Sequence, residues 1–404
     1  MKAVVFHGIG DIHIEDVPDP RIEQDTDAIV RLTRTAICGT DLHFIRGTVE
    51  GVEPGTILGH EGVSVIASLG PGVRNFKVGD RVVIPSTLGC GHCSYCRAGY
   101  YSQCDTVNPN GKLAGTSFFG GPKQTGPFNG LQAELARVPY ASVNLVKIPE
   151  GVSDDQALML SDIFPTGYFG ADMAEIKPGH SVAVFGCGPV GQFAIASAKL
   201  MKAGRIFAID GRPDRLDKAR EQGAEVIDFN AEDPVEVLRQ LTGGIGVDCA
   251  IDAVGVDAQH AHDDHGEQAR QQEKLSQELA PHAQPDGENW VPGNAPAQAL
   301  EWAVQGLAKA GVLSIIGVYP PADKAFPIGM AMNKNLTIRM GNCNHRKYIP
   351  MLLDLVQRGT IDPLALLTQQ EPLTSAIAAY EAFDTRQPGW LKVELLPPAS
   401  AAAR

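Results

Sequence analysis

One stretch, Ser181–Asp210, constrains what this chain can fold into more than any other part of the sequence. It opens with a short apolar run that is rich in β-branched residues, as a buried parallel strand requires. The segment Gly186–Gly191 follows directly, matches the pattern G-x-G-x-x-G, and leads into a run with helical spacing. A second apolar run, Arg205–Ile209, ends in Asp210. Strand, glycine turn, helix, strand and acidic residue in this order predict part of a parallel, doubly wound sheet.

The glycines and the acidic residue of this stretch each have a separate physical role. The first glycine allows a tight turn, the second lets the backbone approach a pyrophosphate, and the third lets helix and strand pack closely. Unpaired N–H groups at the helix N-terminus would face the diphosphate. Asp210 is placed to bind a ribose 2′-hydroxyl and would repel a 2′-phosphate. The stretch therefore predicts dinucleotide binding with a preference for NAD, while the nearby Arg212 and Arg215 keep NADP open.

The pattern of apolar runs divides the chain into two kinds of structure. Residues 1 to about 155 contain short β-like runs separated by Gly, Pro and Asp turns. Strand and helix patterns alternate from about 164 to 320, and further elements follow that return to the first part. We therefore predict a catalytic domain from residues 1–163 and 321–404, and a nucleotide-binding domain from residues 164–320.

An interruption at about 256–297 is longer than a doubly wound unit needs, and it is rich in His, Asp, Gln and Pro. One interpretation is a solvated excursion that is partly helical near Gln268–Leu279. The other is a functional segment that covers the cofactor or contacts another subunit, and the sequence favours neither. Adventitious metal binding by His260, His262 and His265 is a further, weaker alternative.

Composition and charge exclude several classes of function. The chain has 404 residues and a formal net charge of −13, which disfavours general binding to nucleic acid or to anionic membranes. No apolar run is long enough to span a bilayer, and the first residues lack the apolar core and cleavage site of a signal peptide. We therefore expect a cytoplasmic protein without a nucleic-acid or membrane partner.

Four of the eight cysteines lie close together with the spacing C-x2-C-x2-C-x7-C. Four thiolates complete the tetrahedral shell of Zn²⁺ and leave no open position, as a structural zinc site requires. Thiolates also favour zinc over hard cations, and such clustering in a cytosolic chain indicates metal rather than disulfides. The predicted ligands of this zinc ion are Cys90, Cys93, Cys96 and Cys104.

A second set of possible metal ligands is dispersed along the chain. Cys38 opens the run CGTDLH, His60 and Glu61 lie in a glycine-flanked turn, and Asp162 lies within LSDIFPTG. One cysteine, one histidine and carboxylates can hold zinc and leave one position open. Sequence separation alone cannot bring these residues together. Taken singly, Cys38 and His60 are more often a buried thiol and a turn histidine.

Together these motifs resemble the zinc-dependent medium-chain alcohol dehydrogenase family. The matching segments are Cys38–Asp41, Gly59–Glu61, the lobe Cys90–Cys104 and Gly186–Gly191, and the match covers most of residues 1–255 and about 300–396. Ser161–Tyr168 is similar to the branch that contains glutathione-independent formaldehyde dehydrogenase, where Asp replaces a cysteine ligand. The resemblance implies an α/β protein with a β-rich, GroES-like catalytic domain and a Rossmann domain. That branch also carries an insertion over the adenine side, at the place of residues 256–297.

The resemblance assigns roles to the dispersed residues. It implies that Cys38, His60 and Asp162 bind a catalytic zinc ion and that Glu61 is its close neighbour. The remaining members of the predicted catalytic set act on protons: Asp41 would fix the tautomer of His60, and the proton relay would use Thr40 and His43. The residues predicted to contact the cofactor are Gly186, Gly188, Pro189, Val190, Gly191, Asp210, Arg215, Thr166, Gly255 and Lys392.

These expectations describe an oxidoreductase that transfers a hydride between a small alcohol or aldehyde and NAD. It would use two zinc ions per chain, and the catalytic one would act as a Lewis acid. Two alternatives stay open: an aldehyde dismutase that keeps NAD(H) bound, and a nucleotide-binding protein without zinc chemistry. Because the family forms dimers and tetramers, the resemblance implies a homodimer or homotetramer.

Overall fold

The computed structural model describes residues 1–261 and 266–398, and this part of the chain forms two compact units. Unit 1 comprises Met1–Pro165, Ala283–Trp290 and the described residues from Cys343 onward; unit 2 comprises Thr166–His282 and Val291–Asn342. His262 and His265 lie outside the described residues, as do positions 399–404 of the predicted catalytic domain. Within the described ranges, none of the helices combines the length and apolar character that a membrane crossing would need.

The N-terminal piece of unit 1 is rich in short strands, as predicted from its turn-separated apolar runs. Its strands are β1 Lys2–Gly8, β2 Asp11–Asp16, β3 Ala28–Ile37, β4 Thr56–Ile57, β5 Gly62–Leu69, β6 Arg81–Ile84, β7 Leu135–Val138 and β8 Val146–Lys147. Its helices are α1 Gly39–Arg46, α2 Ser94–Arg97, α3 Ala141–Asn144 and α4 Asp154–Leu158. The glycine-rich segment 111–130 holds only the 3-10 turn Lys123–Thr125 among its helical elements.

The middle of the chain alternates strands and helices. The division between the units falls within helix α5, Ile163–Met173. The strands of unit 2 are β9 Ser181–Phe185, β10 Arg205–Asp210, β11 Glu225–Asp228, β12 Val247–Asp252, β13 Leu307–Ile315 and β14 Thr337–Met340. Its further helices are α6 Pro189–Leu200, α7 Pro213–Glu221, α8 Pro234–Leu241, α9 Glu267–Leu279, α10 Gln298–Gly306 and α11 Ile328–Asn333.

The C-terminal piece completes unit 1 with helices and two strands. These elements are α12 His345–Gln357, β15 Gln369–Pro372, α13 Ala376–Asp384 and β16 Val393–Leu396, with 3-10 turns at Pro363–Leu366 and Leu373–Ser375. Strands β1, β2 and β4 form a three-stranded sheet, and the other strands of unit 1 form a seven-stranded sheet in the order β15-β16-β3-β5-β6-β8, with β7 on β3. Strand β16 thus pairs antiparallel with β3, so that the C-terminal piece joins the sheet of the N-terminal piece.

Unit 2 is a parallel, doubly wound sheet with the order β11-β10-β9-β12-β13-β14. Side chains of β9 alternate between its two faces, as the period of a strand requires. Val182 and Val184 belong to a core with α6 and α7, whereas Ala183 and Phe185 belong to one with α8 and α10. The direction of the chain order reverses between β9 and β12, which is where open α/β sheets bind their ligands.

The observed unit boundaries differ from the predicted ones at two places. Strand β14 was expected to return to the catalytic domain, but it pairs in parallel with β13 and extends the sheet of unit 2. The segment Ala283–Trp290 was expected within the interruption of the nucleotide-binding domain, but it packs as part of unit 1. Trp290 is 5% exposed and belongs to a core that includes Phe44 and Tyr380. Trp290 therefore anchors one end of this part of the interruption in the core of unit 1, whereas residues 284–288 are exposed to solvent.

Candidate metal and nucleotide sites

Four potential metal ligands converge inside unit 1. One ligand atom each from Cys38, His60, Glu61 and Asp162 lies within 4.8 Å of the others, and all four residues are buried. The sheet explains this convergence, because Val393 pairs with Ile37 and Gly62 pairs with Thr35 across three neighbouring strands.

Three of the four ligands lie beside strand ends of this sheet, and the fourth precedes a helix. Cys38 follows β3 and is the N-cap of α1, His60 and Glu61 precede β5, and Asp162 precedes α5. His60 Nε2 lies 3.2 Å from Asp162 Oδ2, and Cys38 Sγ lies 3.6 Å from the same oxygen. The structure therefore brings together the three predicted ligands of the catalytic zinc, and it places Glu61 beside them.

Asp41 holds two members of this cluster. Its Oδ2 accepts a hydrogen bond from the Cys38 backbone N–H at 3.0 Å, and its Oδ1 lies 3.2 Å from His60 Nδ1. The second ring nitrogen of His60 therefore faces a carboxylate while Nε2 faces the other ligands. Among the described residues neither of these two atoms has a hydrogen-bond partner, so the fixing of the His60 tautomer by Asp41 stays a prediction.

Lys392 was predicted to contact the cofactor, but its hydrogen-bond partners lie within unit 1. Its ammonium group is fully buried and donates to Glu61 Oε1 at 2.6 Å and to the Ile37 carbonyl at 3.0 Å. Its place one residue before β16 aims it at the ligand cluster, because β16 lies against β3. Among the described residues, Glu61 Oε2 is buried without a hydrogen-bond partner.

The charges of the cluster shift the pKa values of its members. Burial raises the pKa of the Cys38 thiol and of Glu61, although His60 and Lys392 respectively oppose these shifts. Burial disfavours charge on His60 and Asp162 as well, yet the charges of Asp41 and Cys38 hold the pKa of His60 well above its usual value. Hydrogen bonds from His345 and His60 hold the pKa of Asp162 well below its usual value.

A divalent cation fits this donor set. A thiol, an imidazole and two carboxylates are ligands that zinc accepts, and three of these four groups become anionic when they bind. A buried Oε2 of Glu61 without a hydrogen-bond partner is expected where a cation completes the cluster. The residues present thus fit a zinc ion.

The predicted cysteine lobe forms a second cluster. Cys90 Sγ lies 4.0 Å from Cys96 Sγ, and Cys93 Sγ lies 3.9 Å from Cys104 Sγ. Four sulfurs at the usual Zn–S distance in a tetrahedron would lie about 3.8 Å apart. A hydrogen bond from Cys96 lowers the pKa of Cys104 to about 4, so one thiolate forms readily. The geometry fits a closed, four-sulfur zinc site.

The predicted relay residues lie on one face of α1. Thr40 Oγ1 is 3.9 Å from Cys38 Sγ, and His43 follows it by three positions, a spacing that places both on the same side of a helix. His43 is 3% exposed, and its Nδ1 lies 2.9 Å from Thr48 Oγ1. His43 is therefore a buried histidine rather than a surface one.

Sequence reasoning missed His345. Its Nε2 lies 2.6 Å from Asp162 Oδ1, and Ser86 and Thr87 surround its ring. The run Gly341–His345 carries no recognised spacing that connects it to the other ligands. Only the packing of α12 within unit 1 reveals this residue.

In unit 2 the glycine motif lies at the reversal point of the sheet, between β9 and α6. A Cβ at Gly191 would lie 1.8 Å from the Gly186 carbonyl oxygen, so the close approach of helix and strand requires glycine there. A Cβ at Gly188 would meet only Arg215 Nη1, at 3.7 Å. Gly188 is the N-cap of α6 and Pro189 its first residue, so its side of the turn has room for a ligand at the helix N-terminus.

The other predicted cofactor residues occupy different places in unit 2. Asp210 ends β10 and accepts hydrogen bonds from the backbone N–H groups of Cys187 and Arg212, which aim its carboxylate at the glycine turn. Thr166 lies in α5 and Arg215 in α7. A Cβ at Gly255 would lie 2.4 Å from the backbone of Val318, so this glycine is required by packing.

The β-rich unit with two zinc-type clusters and the parallel nucleotide-type unit define a zinc-dependent dehydrogenase. Residues 24–150 match the family model described as alcohol dehydrogenase GroES-like domain, and residues 189–264 match the one described as zinc-binding dehydrogenase. The chain belongs to the zinc-dependent medium-chain alcohol dehydrogenase family. It is a zinc-dependent oxidoreductase of the alcohol dehydrogenase type, and the predicted family and fold class are confirmed.

Three relatives illustrate the similarity. The chain is 37% identical to an uncharacterised zinc-type alcohol dehydrogenase-like protein, AdhB, of Bacillus subtilis, over 98% of this chain and 100% of that protein. It is 36% identical to the glutathione-independent formaldehyde dehydrogenase of Pseudomonas aeruginosa, over 84% of this chain and 80% of that protein. The solved alcohol dehydrogenase TADH from Thermus sp. ATN1 matches with a TM-score of 0.81 and 33% identity, covering 98% and 100% of the two chains.

Proposed function

We propose that this chain oxidises small alcohols or reduces small aldehydes with NAD, and that Cys38, His60 and Asp162 bind the catalytic zinc. The observation that carries the proposal is the convergence of these ligands with Glu61 in one buried cluster. The four thiols of the cysteine lobe are proposed to hold a second, structural zinc ion. The relative named formaldehyde dehydrogenase supports small aldehydes as members of the substrate class.

When bound, zinc supplies Lewis-acid chemistry at the substrate oxygen, and NAD supplies the hydride acceptor. The residues of the chain keep the ligands in position and move the proton. Asp41 orients His60, and Lys392 holds Glu61 by its Oε1, which leaves Oε2 without a hydrogen-bond partner among the described residues. We propose that the hydroxyl of Thr40 accepts the substrate proton and passes it towards His43.

The nucleotide is proposed to bind at the glycine turn of unit 2. The helix N-terminus after Gly188 offers backbone N–H groups to the diphosphate. Asp210 has lone pairs beyond those used by its two backbone donors, and these can accept from a ribose hydroxyl. The same carboxylate would repel a 2′-phosphate, which supports NAD over NADP.

Zinc content tests the proposed metal sites. We expect two zinc ions per chain by elemental analysis, and one in Cys38→Ala, because its lost thiolate belongs only to the catalytic cluster. The kcat/KM of Cys38→Ala should fall by more than about 10³-fold, as the loss of several kcal/mol of Lewis-acid stabilisation requires. Its affinity for NADH should stay unchanged, since the proposed nucleotide residues lie in unit 2.

The control for this experiment is Cys249→Ala. Cys249 is a buried thiol of unit 2 outside both clusters. It should keep two zinc ions per chain. A wild-type zinc content of one, or retained turnover in Cys38→Ala, would contradict the proposed catalytic site.

An aldehyde dismutase that retains its nucleotide is the second candidate. The resemblance to the branch of the formaldehyde dehydrogenase supports it, because the insertion of that branch covers the adenine side of the nucleotide. A dismutase would carry NAD(H) after purification and convert aldehyde to acid and alcohol without added nucleotide. A nucleotide-free protein that needs added NAD for each turnover excludes this candidate.

We also propose that the protein is a cytoplasmic homo-oligomer. All eight cysteines are free thiols, which a reducing compartment preserves.

Strand β14 ends the sheet of unit 2, and exposed apolar side chains lie on it and on α11: Ile328, Met332 and Met340 are 72%, 73% and 63% exposed. An open strand edge with apolar neighbours suits pairing with a second copy. Met340→Asp should lower the mass measured by light scattering, and an unchanged mass would contradict this interface.

A further inference from the structure

The two carboxylate oxygens of Asp162 have different surroundings. Oδ2 faces His60 Nε2 at 3.2 Å and Cys38 Sγ at 3.6 Å. Oδ1 lies 2.6 Å from His345 Nε2 and accepts a hydrogen bond from Ser86 Oγ at 3.2 Å. One oxygen therefore points into the ligand cluster, and the other is held on its outer side.

His345 is itself held in place by its neighbours. Its Nδ1 lies 3.0 Å from Thr87 Oγ1, which donates a hydrogen bond to the Cys343 carbonyl. The residue is 3% exposed and is the first residue of α12. A ring bonded at both nitrogens in a buried position has little rotational freedom, so the direction of its Nε2 is fixed.

The start of α12 is also fixed. Asn344, the N-cap of this helix, accepts hydrogen bonds from the backbone N–H and the hydroxyl of Ser102, both at 3.0 Å. Ser86, on the other side of the histidine, donates its backbone N–H to the Ser161 carbonyl at 3.2 Å, next to Asp162. Hydrogen bonds thus fix the backbone next to His345, through Asn344, and the backbone next to Asp162, through Ser161.

We propose that His345 is a positioning residue that holds Asp162 so that only Oδ2 is presented to the catalytic zinc. The proposal rests on the proposed function, since it assigns a role towards the ligand Asp162. A carboxylate without this partner could rotate about its side chain, bind through both oxygens or turn away from the cluster. Fixing Oδ1 removes these alternatives before the metal arrives.

The other ligands of the cluster have comparable partners. Asp41 faces the second ring nitrogen of His60, and Lys392 holds one oxygen of Glu61. His345 completes this set by serving Asp162. Groups that orient metal ligands in this way typically contribute 10–100-fold to metal affinity or activity.

The test uses two variants of His345 and measures zinc affinity directly. His345→Leu removes both ring nitrogens, whereas His345→Gln keeps an N–H donor that can reach Asp162 Oδ1. Zinc affinity is measured by competition with a chromophoric chelator. We expect the catalytic zinc of His345→Leu to bind about 10–100-fold more weakly, and His345→Gln to recover most of this loss.

The cysteine lobe provides an internal reference in the same molecule. Its zinc should remain in every variant, so dialysis against the chelator should leave one zinc ion per chain in His345→Leu and two in the wild type. His13→Gln, a change at an exposed histidine of unit 1, should behave as the wild type. Circular dichroism establishes that each variant is folded.

The outcomes separate this proposal from the proposed function. A wild type with only one zinc ion contradicts the proposed function itself. A wild type with two, together with unchanged affinity in His345→Leu, overturns the role of His345 alone. Equal losses in His345→Leu and His345→Gln also overturn it, because the donor would then be irrelevant.

A further variant covers the case in which His345→Leu does not fold. Thr87→Val leaves His345 in place but removes the oxygen that fixes its Nδ1. Its zinc affinity should fall several-fold, and an unchanged affinity would contradict the proposed role.

Discussion

Unit 1 buries charged side chains only with specific partners, and these pairs decide what the site can do. Glu61 and Lys392 are both fully buried and bonded at 2.6 Å, and Asp162 is bonded to His345. Isolated charges at such positions would cost several kcal/mol, so each partner is as necessary as the residue that it serves. The family resemblance carried by CGTDLH, GHEG and LSDIFPTG predicts the ligands. No local spacing predicts that Lys392 and His345 are the partners of two of them.

Glu394 is a buried carboxyl group whose ionisation should weaken the fold. Its Oε1 lies 2.7 Å from Arg34 Nε, and its Oε2 accepts from Gln370. Burial and the nearby Asp155 raise the pKa of Glu394 to about 7 from its ordinary 4.5, although Gln370 and Arg34 oppose the shift. A raised carboxyl pKa stabilises the folded state at low pH, and this contribution is lost as the pH rises through 7.

Glu394→Gln should remove this pH dependence, because the amide stays neutral. Between pH 5 and pH 8 the wild type should lose roughly 2 to 3 kcal/mol of unfolding free energy relative to the variant. The measurement is urea unfolding, followed by tryptophan fluorescence at both pH values. The exposed Glu53→Gln should show no such trend. If the difference in unfolding free energy between the wild type and Glu394→Gln is the same at both pH values, the raised pKa of Glu394 is contradicted.

At the scale of elements, the turn between β9 and α6 shows why three glycines recur at fixed spacing. The fold requires glycine at position 191, since a Cβ there would overlap the Gly186 carbonyl. A Cβ at Gly188 would overlap no atom of the protein. The sequence pattern predicts both glycines equally. Only the structure separates the packing role of Gly191 from the role that we propose for Gly188 beside the diphosphate.

The two glycines should therefore respond differently to alanine. Gly191→Ala should destabilise unit 2 or prevent its folding, because backbone atoms must move to admit the methyl group. The free energy of unfolding of Gly188→Ala should lie within about 1 kcal/mol of the wild-type value. This variant should bind NADH at least about 10-fold more weakly, because its methyl group would occupy the proposed position of the diphosphate.

Thermal melting and NADH fluorescence titration measure these two effects. Gly8→Ala, where a Cβ meets nothing within 4 Å, is the matched control. Unchanged NADH affinity in Gly188→Ala would place the diphosphate elsewhere.

At the scale of the whole molecule, the order of the chain does not follow the order of the units. Local patterns predicted the strands and helices of both units well, because apolar periodicity is a local property. They could not assign β14 or Ala283–Trp290, because the sheet or core that a segment joins depends on partners far away in sequence. The insertion in particular contributes Trp290 to a core built around α1 and α13.

A buried ion pair fastens this inserted segment within unit 1. Asp384 accepts from Arg46 Nε at 2.8 Å and from the Trp290 backbone N–H at 2.6 Å, and both charged residues are nearly inaccessible. Asp384→Asn should lower the unfolding free energy of unit 1 by about 3–5 kcal/mol, because it leaves Arg46 buried without its counter-charge.

Calorimetry and limited proteolysis near residues 283–290 measure the effect of Asp384→Asn. Cleavage there should accelerate, because a single side-chain oxygen remains for the two donors, Arg46 and the Trp290 backbone N–H. Asp19→Asn, which removes an exposed partner of the N-terminal amine, should change stability by less than about 1 kcal/mol. Similar behaviour of the two variants would show that the buried pair does not fasten the segment.

The pairing of β16 with β3 has a consequence for any attempt to dissect this protein. A truncation after residue 342 would remove Lys392 and His345 together with the strand that covers β3, leaving the ligand cluster with uncompensated carboxylates. A recombinant fragment that contains the metal ligands would therefore need the segments before residue 166 and after residue 342 in one polypeptide, for example by circular permutation. A replacement for residues 166–342 would have to keep Trp290, which packs in the core of unit 1.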